Sequence, residues 1–173
     1  MPYHGRQQLS SEEMDDLFMR KALDEARKAA SRGEVPVGAV IVKDGIIIAS
    51  AHNMVESRGD ATAHAEILAI QEASRSNGDW RLDGCTIYVT VEPCQMCLGA
   101  IFYSRIKRVV FGARQPRSGA CGSFDDMHMR NPVGRELEVT GGVLEEESLE
   151  ILRNFFGSLR DAAFDNRGKV NII

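Results

Sequence analysis

Apolar positions recur at helical spacing near both ends of the chain, and in short β-rich runs between them. Met14, Leu17, Phe18, Ala22, Ala26 and Ala30 follow Ser10 and Glu13, a capping-box pair. This spacing predicts an amphipathic helix over residues 11–32, closed by Gly33. Val37 to Val42 and Ile46 to Ala51 read as strands, and Asp44-Gly45 between them predicts a hairpin. Beyond a polar loop, Asn53 to Asp60, a second helix is expected from about Thr62 to Ser76. Ala65, Leu68, Ala69 and Ala73 form its packing stripe, and Asn77-Gly78 its stop. Thr86 to Val91, Cys94 to Ser104 and Val109 to Gly112 read as strand, helix and strand, a right-handed βαβ crossover. A loop over 113–123 and a short helical piece from Met127 follow, then a strand over Leu137 to Thr140. A last helix is expected over Leu144 to Arg160, packed through Leu149, Leu152, Phe155, Phe156 and Leu159. The order of elements predicts a three-layer α/β/α sandwich around a mixed five-stranded sheet. With no linker or repeat, one domain is expected over residues 11–161, between a flexible polar arm, 1–10, and a tail, 162–173.

Onto these elements fall His64-Ala65-Glu66 and, about thirty residues later, Pro93-Cys94-Gln95-Met96-Cys97. One imidazole and two thiols make three soft-to-borderline donors. Structural zinc sites close with four protein ligands, whereas catalytic ones leave a position open. Glu66 adds a carboxylate able to accept and return a proton. Each half alone has a bland reading: His-x-Glu as an exposed polar face, Cys-x-x-Cys as a redox pair or two core cysteines. Their combination, with both halves expected in the first turns of helices, points to a catalytic zinc site. Helix N-termini place positive dipole ends there, which favours thiolates, and Pro93 suits a helix start.

Composition narrows the setting. The chain of 173 residues carries a formal charge of -4, which neither announces nor excludes a nucleic-acid partner. No apolar run approaches the roughly 20 residues of a membrane span. Residues 1–8 lack a signal-peptide pattern. Cys85 and Cys121 read as buried or free thiols, in keeping with a cytoplasmic setting.

At the motif residues the chain resembles the cytidine deaminase-like superfamily, and within it the bacterial tRNA adenosine deaminases. Glu34-Val35-Pro36-Val37-Gly38-Ala39, Ala51-His52-Asn53 and Asp60 to Glu66 carry the likeness. So do Tyr88 to Cys94, Ser104-Arg105-Ile106, Val110 to Ala113 and Phe155-Phe156. The resemblance spans roughly residues 14–160 and implies zinc-dependent hydrolytic deamination of adenosine to inosine at the wobble position of tRNA. It implies one zinc per chain on His64, Cys94 and Cys97, a zinc-activated water attacking C6, and Glu66 as proton shuttle. Asn53 would bind the flipped base, with Val37, the backbone of Ala65 and Glu92, and Tyr103 lining its pocket. A tRNA anticodon loop and a second copy in a homodimer are the implied partners. The pattern breaks at Gln115, where the family usually has an acid, and at Gly134-Arg135-Glu136, where it usually shows Asn-His-Arg.

Two other functions fit parts of this pattern. One is a deaminase of a free base or small nucleoside, such as guanine. The other is a non-catalytic zinc module, which would need a fourth ligand from Cys85, Cys121 or His52 and gives Glu66 no role. His52 reads as a solvated loop residue or a partner behind the site, and Met96 as core packing. Arg105, Lys107, Arg108, Arg114, Arg117, Arg130 and Arg135 read either as a phosphate track or as dispersed surface charges.

Overall fold

A computed structural model describes residues 9–168, with side chains through 163. Most of the N-terminal arm and the last part of the tail lie outside these residues. Helix α1 (Ser11–Ser31) starts on the expected capping box. The Ser10 hydroxyl accepts from the Glu13 N–H, and the Glu13 carboxylate accepts from the Ser10 N–H. Strands β1 (Gly38–Lys43) and β2 (Ile46–His52) form the hairpin. Asp44 and Gly45 both take positive φ, as a two-residue turn of this kind requires. Then come α2 (Val55–Arg58), α3 (Ala65–Asn77), β3 (Thr86–Val91), α4 (Gln95–Tyr103) and β4 (Arg108–Ala113). A 3₁₀ turn (Met127–Arg130), β5 (Glu138–Thr140) and α5 (Glu145–Gly168) complete the order.

The sheet runs β2-β1-β3-β4-β5, antiparallel through the first three strands and parallel through the last three. Strand alternation divides the core into two layers. Ala39, Ile41, Ile87, Val89, Val109 and Phe111 meet α3 and α4 on one face. Val40, Val42, Tyr88 and Val110 meet α1 on the other, where α5 also packs. On this second face Arg108 donates two hydrogen bonds of 2.7 Å to Asp15, which also accepts from the Tyr88 hydroxyl at 3.0 Å. A fork of this geometry ties α1 to the sheet at a fixed register.

Several expectations need correction. The loop from Asn53 to Asp60 contains α2, a single turn that period-based reading misses. Helix α5 starts after Leu144, at φ 51°, and runs to Gly168, past the boundary drawn at 161. Its stripe packs incompletely, for Phe156 and Leu159 are 42% and 49% exposed. Met96, expected in the core, is 38% exposed. The basic residues are mostly paired within the chain: Arg108 with Asp15, Arg105 and Arg135 with Asp83, Lys107 with Glu138, and Arg130 with Asp125. No helix among the described residues is long and apolar enough to cross a membrane.

Gly38 fixes how closely α1 approaches β1. A Cβ there would lie 2.0 Å from the Ala22 carbonyl oxygen and 2.4 Å from the Ala26 nitrogen, both backbone atoms that cannot swing aside. Gly38→Ala should therefore destabilise the fold by on the order of 3 kcal/mol, as overpacking of a rigid contact does. Chemical denaturation checks this, and an unchanged midpoint would show that α1 can move.

Candidate metal centre and adjoining cavity

The two motif halves meet because the two helices that carry them pack side by side on one face of the sheet. Before α3, the Asp60 carboxylate accepts from the Thr62 N–H and hydroxyl at 2.8 and 2.7 Å, closing the turn that buries Ala63. His64 is then the N-cap of α3, in extended conformation. Cys94 is likewise the N-cap of α4, and Cys97 lies within its first turn. Both positions fall one step outside the helices that the sequence predicts for them. Neither side chain caps its own helix, so both remain available to each other.

His64 Nδ1 faces Cys97 Sγ at 3.5 Å and Cys94 Sγ at 3.8 Å. The three donor atoms lie within 4.8 Å of one another. Among the described residues no fourth His, Cys, Asp or Glu joins this group. A hydrogen bond from Cys97 pulls the Cys94 thiol down to about 4, and that same bond and burial push the Cys97 thiol up. The Cys94 hydrogen bond raises the imidazole of His64. An imidazole and two sulfurs this close, one already favouring the thiolate, suit a borderline-soft divalent ion such as zinc.

Above the group lies a cavity of about 270 Å³. Val35, Val37, Val55 and Val91 provide apolar wall, and Asn53, Glu66, Gln115 and Ser118 provide polar groups. Glu66 is buried, and its burial pushes the carboxyl up to about 7. The Asn53 backbone N–H donates to the Val37 carbonyl at 3.0 Å. Its buried side-chain amide lines the cavity and pairs with no other described residue. Of the expected pocket residues, Val37, Asn53, Ala65 and Glu92 line the cavity. Tyr103 does not: it ends α4, whose opposite end holds Cys94, and is 71% exposed.

Glu92 contributes more than the backbone expected of it. Its buried carboxylate accepts from the N–H groups of Gln115, Cys121 and Ser123 at 3.0, 2.9 and 3.1 Å, and from the Ser123 hydroxyl. Burial opposes the charge, but these donors outweigh it and hold the carboxyl below its ordinary value. The loop over 115–123 is thereby folded down beside Cys94. Ala120 N–H donates to the Pro93 carbonyl at 2.8 Å, and Gly119 bridges to Cys94. A Cβ at Gly119 would stand 2.5 Å from the Glu92 carboxyl carbon, so only glycine fits. Nothing in local periodicity signals this anchor, whose partners lie more than twenty residues along the chain.

The chain matches the MafB19-like deaminase family over residues 13–160. It is similar to a tRNA-specific adenosine deaminase of Bacillus subtilis (strain 168), 49% identical over 146 residues that cover 84% of this chain and 91% of that one. A solved structure from work on A-to-I editing by tRNA:A34 deaminases at the wobble position superposes with a TM-score of 0.74. It has 45% identity and covers 79% of this chain and 99% of that one. A guanine deaminase from Bacillus subtilis gives a TM-score of 0.57 at 39% identity, covering 73% of this chain and 78% of that one.

Glu92→Gln replaces an acceptor-only group with an amide whose NH₂ must confront donors. The change should cost about 1–3 kcal/mol and loosen the loop. Hydrogen exchange should speed up at the Cys121 and Ser123 amides; protection equal to wild type would mean the loop is held by other contacts.

Proposed function

The chain belongs to the MafB19-like deaminase family, with the tRNA-specific adenosine deaminases among its close relatives, and we propose that it hydrolyses adenosine to inosine at the wobble position of a tRNA anticodon loop. One observation carries the chemistry. A cleft floored by a His/Cys/Cys group also contains a buried carboxylate and an amide that pairs with no other described residue.

His64 Nδ1 and the sulfurs of Cys94 and Cys97 would hold one zinc, which when bound supplies Lewis acidity that makes water a nucleophile near neutral pH. Glu66, two residues beyond His64 and lining the same cavity, accepts the proton of the attacking water at its carboxylate. It returns protons to the adenine ring nitrogen and then to the departing amine. The Asn53 amide offers two donors and an acceptor to the base edge, and a base that leaves them unmet is rejected. The valines wall the ring off from solvent. Gln115 at the cavity lining offers a neutral amide to whatever lies beside the base. A second copy, the partner that the resemblance implies, would cover Met96 and Tyr103, exposed side chains two helical turns apart on α4.

The free-base reading draws on the guanine deaminase similarity. The adenosine reading draws on higher identity to the tRNA-specific enzyme over more of the chain. Zinc-loaded protein incubated with an anticodon stem-loop bearing a wobble adenosine should release ammonia and form inosine. Turnover of free guanine with none of the RNA would overturn the proposal.

Glu66→Ala should keep zinc and fold while losing on the order of 10²–10⁴ in rate, the usual worth of general acid–base catalysis. His64→Ala should lose the metal as well. Metal analysis of both variants beside their rates separates these roles; substantial activity in Glu66→Ala would assign the proton transfers elsewhere.

A further inference from the structure

His52 is buried, although nothing in the chemistry above uses it. It ends β2, pairs in register with Gly38 of β1, and directly precedes Asn53. Its Nδ1 lies 3.1 Å from Glu25 Oε2, and its Nε2 lies 3.1 Å from Arg32 Nη1. A guanidinium can only donate, so Nε2 accepts; the ring proton therefore sits on Nδ1 and is donated to Glu25. Glu25 is buried and also accepts from Lys28 at 2.5 Å. It belongs to the stretch of α1 that rides against Gly38, since a Cβ on Gly38 would meet Glu25 Cβ at 2.8 Å. Thus Glu25 of α1 and Arg32, the residue that caps its C-terminal end, grip the imidazole at both nitrogens, at the point where β2 gives way to the cavity wall.

We propose that His52, clamped between Glu25 and Arg32, is a positioning residue that sets the orientation of the Asn53 amide in the cavity. The main chain of this segment is tied on the other side too. Asn53 N–H donates to Val37 and Met54 N–H to Ala63, each at 3.0 Å. Glu34, buried, accepts from the N–H groups of Glu56 and Ser57 at 3.1 and 2.7 Å and so holds α2. These bonds fix the backbone on either side of Asn53. His52, the last residue of the β1–β2 ladder, adds a side-chain constraint where that ladder stops, limiting how far the chain can turn as it enters Asn53. Among the described residues the amide has no hydrogen-bond partner to correct such a turn. Small misplacements of a group that reads substrate lower rate by up to about 10²-fold.

The proposal rests on the reading of Asn53 as the group that binds the base, and a double-mutant cycle separates the two. Wild type, His52→Ala, Asn53→Ala and the double variant are assayed for kcat/KM on the wobble-adenosine stem-loop, with zinc content and Tm measured in parallel. His52→Ala should retain zinc and lose on the order of 10-fold or more in kcat/KM when Asn53 is present. In the Asn53→Ala background the same change should cost less than about 2-fold, because the group it positions is gone. Equal losses in both backgrounds would overturn the proposal and give His52 a purely structural role. An Asn53→Ala enzyme as active as wild type would instead remove Asn53 from base binding, and this proposal with it. His52→Asn keeps a donor near the Nδ1 position for Glu25 and provides the same cycle if the alanine variant does not fold. It should show an intermediate loss that again vanishes without Asn53; a loss that persists there also overturns the proposal.

Discussion

Three side chains from two helices must bring their donor atoms to one point, and most of the described structure serves that requirement. His64 and Cys94 are N-caps, so each is placed by the strand or turn before its helix as much as by the helix itself. Asp60 closes the turn ahead of α3, β3 delivers Pro93 and Cys94, and packing of α3 against α4 on the sheet sets the distance between the caps. The two N-termini point positive dipole ends at the same place, which favours thiolate and any further anionic ligand there. An isolated pair of thiols and an imidazole could relax apart. Here the backbone that carries them is fixed by a core with many fully buried side chains.

Around that point the cavity is held by buried carboxylates that each accept two or more hydrogen bonds, rather than by apolar packing alone. Glu92 gathers the loop over 115–123, Glu34 holds α2, and Glu25 holds His52. Such groups stay buried because each has several donors, and the same donors make the geometry specific. Under the proposed function the fold thus divides its labour. The sheet and α3/α4 hold the metal ligands, while carboxylate anchors place the walls that read the base.

The regular elements were readable because their signals are local. Ser10 and Glu13 announce the start of α1, Asp44-Gly45 the hairpin, and Asn77-Gly78 the end of α3, each through a short-range conformational demand. The His/Cys/Cys group was readable because ligand chemistry requires particular residue types, whatever the fold. What escaped is what only tertiary contacts decide. Helix α2 is too short to show a period, and Met96 looks apolar but faces out. Resemblance implies a pocket position for Tyr103, yet it ends α4 away from the cavity in this chain. His52 reads as a solvated residue or a partner behind the site, and Glu92 as a backbone contact; their burial depends on partners twenty or more residues distant.

His64, Cys94 and Cys97 would form an open metal centre if they alone hold the ion, and a closed structural one if a fourth side chain joins them. X-ray absorption at the zinc edge of the reconstituted protein distinguishes the two. An open centre gives one zinc per chain with two sulfurs and one imidazole nitrogen as its only protein ligands. A third sulfur, a second imidazole, or a protein that binds no zinc with both cysteines reduced would contradict it.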